Sequence, residues 1–352
     1  MNPDWRELQL ASGAVFDDPA VIVSLAGFAG APFALHYGDP RAEYLGARDG
    51  AAIFDLSDRT QVEITGRDRV AFLNNFCTND VKKLEPGQGC EAFVTNVKGR
   101  VLAHVFVFVE RDAIWLETVA GAAPAIIAHL DKYLISEDVQ LHDRTGDWGE
   151  LFFCGPGSIE RSLRKLAPYS HRIASSGLAR SRRVDLLGIA GFLTSFDKRE
   201  SGGLLREAWE VWTRAGGREL RPAGAAAFHA MRIEARLPLV GVDVGEENLA
   251  QEVARTDRAV SFTKGCYLGQ EPIARLDALG HTNRELRTLR LEGGPVPAAG
   301  TPVFGDGNEI GRITSAARSY ADDRPVALAV LRRPFIDPGA RVTVGDIAAA
   351  VE

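Results

Sequence analysis

The chain has 352 residues and a mass of 38.1 kDa, too long for one ordinary hydrophobic core, so two or three domains are expected. Apolar residues make up 45% and charged residues 25%, with a formal net charge of -6, which excludes long disordered tracts and any global cationic field for nucleic acid. The opening MNPDWRELQLASGAVFDDPA has neither a basic leader nor an unbroken apolar run, and no apolar stretch of bilayer length follows, so a cytoplasmic protein with no membrane or nucleic-acid partner is expected.

In chain order, residues 51 to 65 (AAIFDLSDRTQVEIT) read as a strand with a turn, and Asp68 to Phe76 as a short amphipathic helix with Asp68 capping its first turn. Gly87 to Val119 holds three apolar runs separated by Lys98-Gly99 and by Glu110-Arg111-Asp112, the pattern of an antiparallel meander. Ala122 to Tyr133 reads as a second helix with Pro124 in its first turn. The pattern then restarts: a strand at Gly149 to Phe153, a helix at Pro156 to Leu166, strands within Arg183 to Thr194, and a helix at Leu204 to Ala215 stopped by Gly216-Gly217. The basic run ARSRRV (Ala179 to Val184) reads as a solvated edge. From Glu285 onward, short strands at Leu286–Leu291, Pro302–Phe304, Glu309–Ser315, Val326–Leu331 and Arg341–Val344 predict a small all-β barrel. The expected division is an extension at 1–35, α+β units at 36–148 and 149–284, and a barrel at 285–352.

Three places could carry chemistry. Asn96 and His104 flank the Lys98-Gly99-Arg100 turn and could face one cavity across a hairpin; equally, His104 reads as an ordinary satisfied histidine. Arg232 and Arg236 are one helical turn apart and could form a bidentate fork for a carboxylate, or an internal ion-pair group with Glu234 and Asp243. In KGCYLGQEP, Gly265 and Gly269 bracket Cys266 in what reads as a polar turn, with Lys264 beside the thiol to favour its thiolate; the alternative is a buried cysteine acting as a small hydrophobe. Cys77, Cys90, Cys154 and Cys266 form no CxxC, so no metal site is expected and the thiols should be reduced and separate.

Lys264 to Glu271 match, at every fixed position, the K-G-C-Y-x-G-Q-E signature of the YgfZ folate-binding family, a branch of the glycine cleavage T-protein and aminomethyltransferase superfamily. The resemblance extends from about Ile53 to Val344 through IFDLSDRTQVEITGRDRVAFLNNFCTNDVKKLEPGQG, MRIEARLPLVGVD and EIGRITSAARS. It implies an α+β fold, a glycine cleavage T-protein-like three-domain ring of two ferredoxin-like units plus a C-terminal small β-barrel around a folate pocket. It also implies tetrahydrofolate, or a derivative, held among Asn96, His104, Arg232 and Glu234. Cys266 would be the reactive thiol within Lys264, Gly265, Tyr267, Gly269, Gln270 and Glu271.

The function so implied is an accessory protein for iron-sulfur cluster assembly or repair, with iron-sulfur client or assembly proteins as partners. The alternative is a folate-dependent aminomethyltransferase or demethylase. Against that alternative, the resemblance places Ala103 and His104 where the transferases carry a pair of aspartates, and leaves only Asp197 of an acidic pterin-holding block; an acidic partner is expected to be missing. Whether the chain is itself an enzyme stays open. If it is, His104 is the residue expected to handle the amine proton.

Overall fold

A computed structural model describes residues 3–16, 33–158, 166–198, 203–214 and 220–352. The chain enters through α1 (Pro3–Ala11) and α2 (Pro40–Asp49). Asp39 starts α2 by accepting the Arg41 amide at 2.9 Å, and Pro40 occupies its first position. The stretch read as one strand and a turn is two strands that part company. β1 (Ala52–Asp55) is buried throughout and leaves for one sheet, while β2 (Thr60–Thr65) joins another.

The second of these sheets is antiparallel, ordered β3-β4-β5-β2-β6, with β3 (Gly89–Thr95), β4 (Val101–Val109), β5 (Ile114–Thr118) and β6 (Gln140–Asp143). α3 (Arg69–Phe76) and α4 (Ala123–Asp131) supply Leu73 and Ile126 to its core with Val62, Val94, Val105 and Leu116. Asp68 precedes α3, but its carboxylate accepts the Asp138 amide at 2.9 Å instead of capping the helix.

β1 lies in a six-stranded sheet ordered β11-β1-β7-β10-β9-β8, built from β7 (Trp148–Cys154), β8 (His171–Ile173), β9 (Ala179–Arg183), β10 (Gly191–Asp197) and β11 (Arg221–Ala223). The sheet therefore takes a strand from before residue 148. The helix expected over Pro156 to Leu166 falls largely on 159–165, outside the described residues. α5 (Leu204–Arg214) packs Leu205 and Trp209 with Trp5 and Leu8 of α1 against Ile53, Leu151 and Phe153, and Trp5 and Gln9 each donate to Asp55 at 2.8 Å. The basic run is no solvated edge. Arg182 is buried among Gln61, Glu150 and Ser195, and Arg180 pairs with Glu110 while lying over the Trp115 and Trp148 rings, so these arginines join the two sheets.

α6 (Ala225–Glu234), α7 (Thr256–Ala259) and α8 (Gln270–Leu279) lead to a closed barrel, β12-β15-β14-β13-β16-β17. Its strands are β12 (Arg284–Leu291), β13 (Pro302–Gly305), β14 (Asn308–Arg318), β15 (Pro325–Arg332), β16 (Arg341–Val344) and β17 (Ile347–Val351). Sequence reading missed β17, whose IAAAV run carries little strand signal; it closes the barrel by pairing with both β16 and β12. One apolar cluster joins all three parts, with Phe93 and Phe106 from the five-stranded sheet, Phe152 from the six-stranded one, Tyr267 and Ile273 from the motif and α8, and Leu286 and Leu328 from the barrel. No helix among the described residues is long and apolar enough to cross a membrane.

Candidate functional site

The Lys264–Glu271 motif divides into residues that build the loop and residues that face outward. The Lys264 ammonium donates to the carbonyls of Asn74 (2.6 Å), Cys77 (2.9 Å) and Asn79 (2.6 Å), and stands 5.0 Å from the Tyr267 ring centre. It thus closes the C-terminal end of α3, where carbonyls lack partners of their own. This corrects the expectation that Lys264 activates Cys266: its three hydrogens are taken, and the thiols it influences are the buried Cys77 and Cys90. Burial pulls the Lys264 pKa down.

Tyr267 is buried in the shared core, and the Leu268 amide and carbonyl bond to Asn75 and Thr95. Gly269 has φ 82°, and a Cβ there would lie 2.4 Å from the Asn96 carbonyl oxygen, so only glycine allows this approach to the β3–β4 turn. Gly265 meets no such constraint, having open space around it. Cys266 is exposed, whereas Cys77, Cys90 and Cys154 are buried. Gln270 and Glu271 open α8, and their side chains make no hydrogen bond to the described residues.

Asn96 and His104 are not brought together. Asn96 accepts the amides of Lys98 (2.9 Å) and Arg100 (3.2 Å) and is spent on the hairpin turn. His104 sits opposite Phe93, between the Phe93 and Phe106 rings, with Nε2 at 2.7 Å from Glu91 Oε1. Glu91 is fully buried on β3 and gathers three further bonds: both Nε and Nη2 of Arg255, the latter at 2.8 Å, and the Tyr169 hydroxyl at 2.9 Å. Burial pushes the Glu91 carboxyl up, but the bonds from His104 and Arg255 outweigh it and hold the group well below the usual carboxylate range. Burial pushes His104 down against the pull of Glu91, and the charges of Arg255 and Arg59 add to the fall.

A neutral imidazole donating Nε2–H to Glu91 keeps Nδ1 as its lone-pair nitrogen. The carboxylate bonded to His104 thus comes from the adjacent strand. Sequence reading passed over Glu91, Arg255 and Tyr169; the one local signal was a glutamate inside the apolar run CEAFV.

Arg255 also walls a cleft of about 440 Å³ where the second unit meets the barrel, lined by Glu234, Arg236, Arg258, Glu285 and Arg287 among others. Arg236 and Ala254 in this wall, and Tyr169 behind it, have φ of 53°, 61° and 62°, a strained backbone for residues other than glycine that concentrates where structure serves a site. Arg236 Nε and Glu234 Oε1 are buried without hydrogen-bond partners among the described residues, while Arg236 Nη2 donates to the Glu352 carbonyl at 2.7 Å. Burial lowers the Arg236 pKa, and Arg287 adds to that.

The fork expected of Arg232 and Arg236 does not form, because α6 ends at Glu234 and Arg236 turns left-handed. Arg232 is fully buried, donating to Asp243 (2.8 Å), Ser315 (2.6 Å), Leu237 (3.2 Å) and His229 (3.1 Å), a clamp between α6 and the barrel and not a ligand group. Glu234 does reach the cleft, and also accepts the Tyr44 hydroxyl at 2.6 Å.

Residues 20–195 match the GCVT N-terminal domain, and residues 284–350 match the glycine cleavage T-protein C-terminal barrel domain. The chain belongs to the glycine cleavage T-protein family. Among its family relatives is the aminomethyltransferase of Streptomyces avermitilis, 28% identical over 330 residues that span 90% of this chain and 87% of the relative. The aminomethyltransferase of Geobacillus kaustophilus is 26% identical over 330 residues, spanning 90% and 89%. In fold, this family member superposes on the crystal structure of glycine cleavage system aminomethyltransferase T from Bartonella henselae with a TM-score of 0.84, at 23% identity, covering 99% of this chain and 95% of that one. The three-part architecture is thus that of the T-proteins.

Proposed function

We propose that this chain binds tetrahydrofolate, or a derivative of it, in the arginine-lined cleft. The observation that carries the reading is the cleft itself: Arg236 and Arg258, with Arg287 beside them paired to Glu285 at 2.9 Å, offer charge to the glutamate carboxylates, and the volume suits a small ligand. Arg236 Nε, without a partner among the described residues, supports the fit, since a buried donor left unpaired is costly until an acceptor arrives. Folate would supply the one-carbon carrier; the chain would supply binding and orientation.

Two readings share this cleft. The relatives' names point to transfer of an aminomethyl-type unit, in which His104, its ring held by Glu91, is the residue that handles the amine proton. The second reading is the YgfZ type, an accessory role in iron-sulfur protein maturation. It is favoured by one observation, an exposed Cys266 on a loop whose Lys264, Tyr267 and Gly269 are committed to the scaffold while Cys266 and Glu271 are exposed and Gln270 is half-buried. Glu91 to Thr95 runs about 14 Å along β3 at ~3.4 Å per residue, so folate cleft and thiol loop border one strand.

The deciding experiment is calorimetric titration of tetrahydrofolate into wild-type protein and into Arg236→Ala/Arg287→Ala. Saturable binding that weakens at least tenfold in the double variant supports the cleft; unchanged binding moves the site elsewhere. Production of methylene-tetrahydrofolate from a methylated amine, lost in His104→Ala, selects the transfer reading. Loss of the cellular role in Cys266→Ala with folate binding intact selects the accessory reading.

A further inference from the structure

Arg255 belongs to two places at once. It lines the cleft, and through Nε and Nη2 it clasps both oxygens of Glu91, whose Oε1 also bonds His104. Of the residues lining the cleft, Arg255 alone bonds to Glu91 among the described residues. We infer that anion binding in the cleft and proton uptake by His104 are one linked event. The inference rests on the folate reading for its physiological ligand, but the linkage follows from the geometry.

The charges that face His104 come from a few elements. Glu91 on β3 is in contact at 2.7 Å, and Arg255, ahead of α7, acts through Glu91. Arg59, ahead of β2, is paired with Glu117 of β5, and Tyr169 reaches Glu91 from the loop before β8. The Phe93 and Phe106 rings on either side bring no charge. Arg255, bonded to both oxygens of Glu91, places its positive charge there, and after burial it opposes an imidazolium.

An anion bound to Arg255 shares that charge or draws the guanidinium away. Either way Glu91 faces His104 less compensated, and the imidazole takes a proton from solvent to become a charged donor to Glu91. Nothing is oxidised or reduced. By reciprocity, a protonated His104 tightens the anion by the same factor.

The test uses the full chain and 5-formyltetrahydrofolate, titrated calorimetrically from pH 8 to pH 5.5 in two buffers of different ionisation heat. Expected is net proton uptake on binding and a Kd that tightens up to about tenfold for each unit by which the His104 pKa rises. His104→Gln should bind with no uptake. Folate binding without uptake, or with the same uptake in His104→Gln, overturns the linkage and leaves the folate reading standing. If folate does not bind, the His104 ring is titrated by NMR with sulfate replacing chloride at equal ionic strength. A pKa raised by sulfate then upholds the linkage while the folate reading falls, and an unmoved pKa overturns it.

Discussion

Replacing Arg232 by methionine tests whether this arginine is scaffold or site. The guanidinium joins Asp243, Ser315, Leu237 and His229 inside the protein, and Asp243 is itself fully buried. Removing one partner of such a pair costs about 3–5 kcal/mol, because the remaining charge is left in a poor solvent. Asp243 retains the Leu239 amide at 2.9 Å and the Thr314 hydroxyl at 2.7 Å, so the low end, about 3 kcal/mol, is expected for Arg232→Met.

Urea unfolding read by tryptophan fluorescence should show the loss as a lower midpoint at similar slope. Adding Asp243→Asn removes the stranded charge, so the double variant should be more stable than Arg232→Met alone, a coupling that double-mutant analysis isolates. Folate titration of the folded single variant should give an affinity near wild type. A loss below about 1 kcal/mol joined to weakened folate binding would refute the reasoning and return Arg232 to the ligand site.

Gly269→Ala should destabilise by about 2 kcal/mol or more in thermal melts, since it adds left-handed strain to a contact with the Asn96 carbonyl, whereas Gly265→Ala, with open space, should change little. A thiol reagent should modify one cysteine, Cys266, in native protein and all four after denaturation; fast labelling of a second native thiol would contradict the burial of Cys77, Cys90 and Cys154. Burial lowers the pKa of both His104 and His171, the latter to about 4, so the folded chain takes up their protons less readily. The unfolded chain binds those protons near pH 6.5 and the folded chain does not, so their contribution is favourable above that pH and is lost as pH falls, by on the order of 1 kcal/mol per unit for each until the folded pKa is reached. Melting His171→Phe beside wild type at pH 7.5 and pH 5.5 should show a smaller drop in the variant; an equal drop would assign the pH dependence to other groups.

The barrel and the first meander were readable because their information is local: alternating apolar residues between Gly and Pro, and a Lys-Gly turn. The motif was readable as a loop for the same reason. What escaped was long-range. Glu91, Tyr169 and Arg255 meet from three separate segments, and nothing in the neighbourhood of any one of them announces the other two. The direction of Lys264 was equally hidden, since it depends on where the end of α3 falls and not on the adjacent cysteine. The run at Ala179 to Val184 misled because three arginines so close together usually lie in water, and here the Trp115 and Trp148 rings receive one of them.

β1 has a consequence for how the protein is made. Ala52 pairs with Cys154 on one side and Arg221 on the other, so a ribosome must pass into the second unit before this strand has its first partner and deliver most of that unit before it has its second. Until the first arrives a wholly apolar AIF segment waits with both edges open, a hazard for association between nascent chains. A chain truncated after residue 148 would carry that hazard permanently. The two α+β units should therefore fail when expressed apart, however complete the first sheet looks by itself.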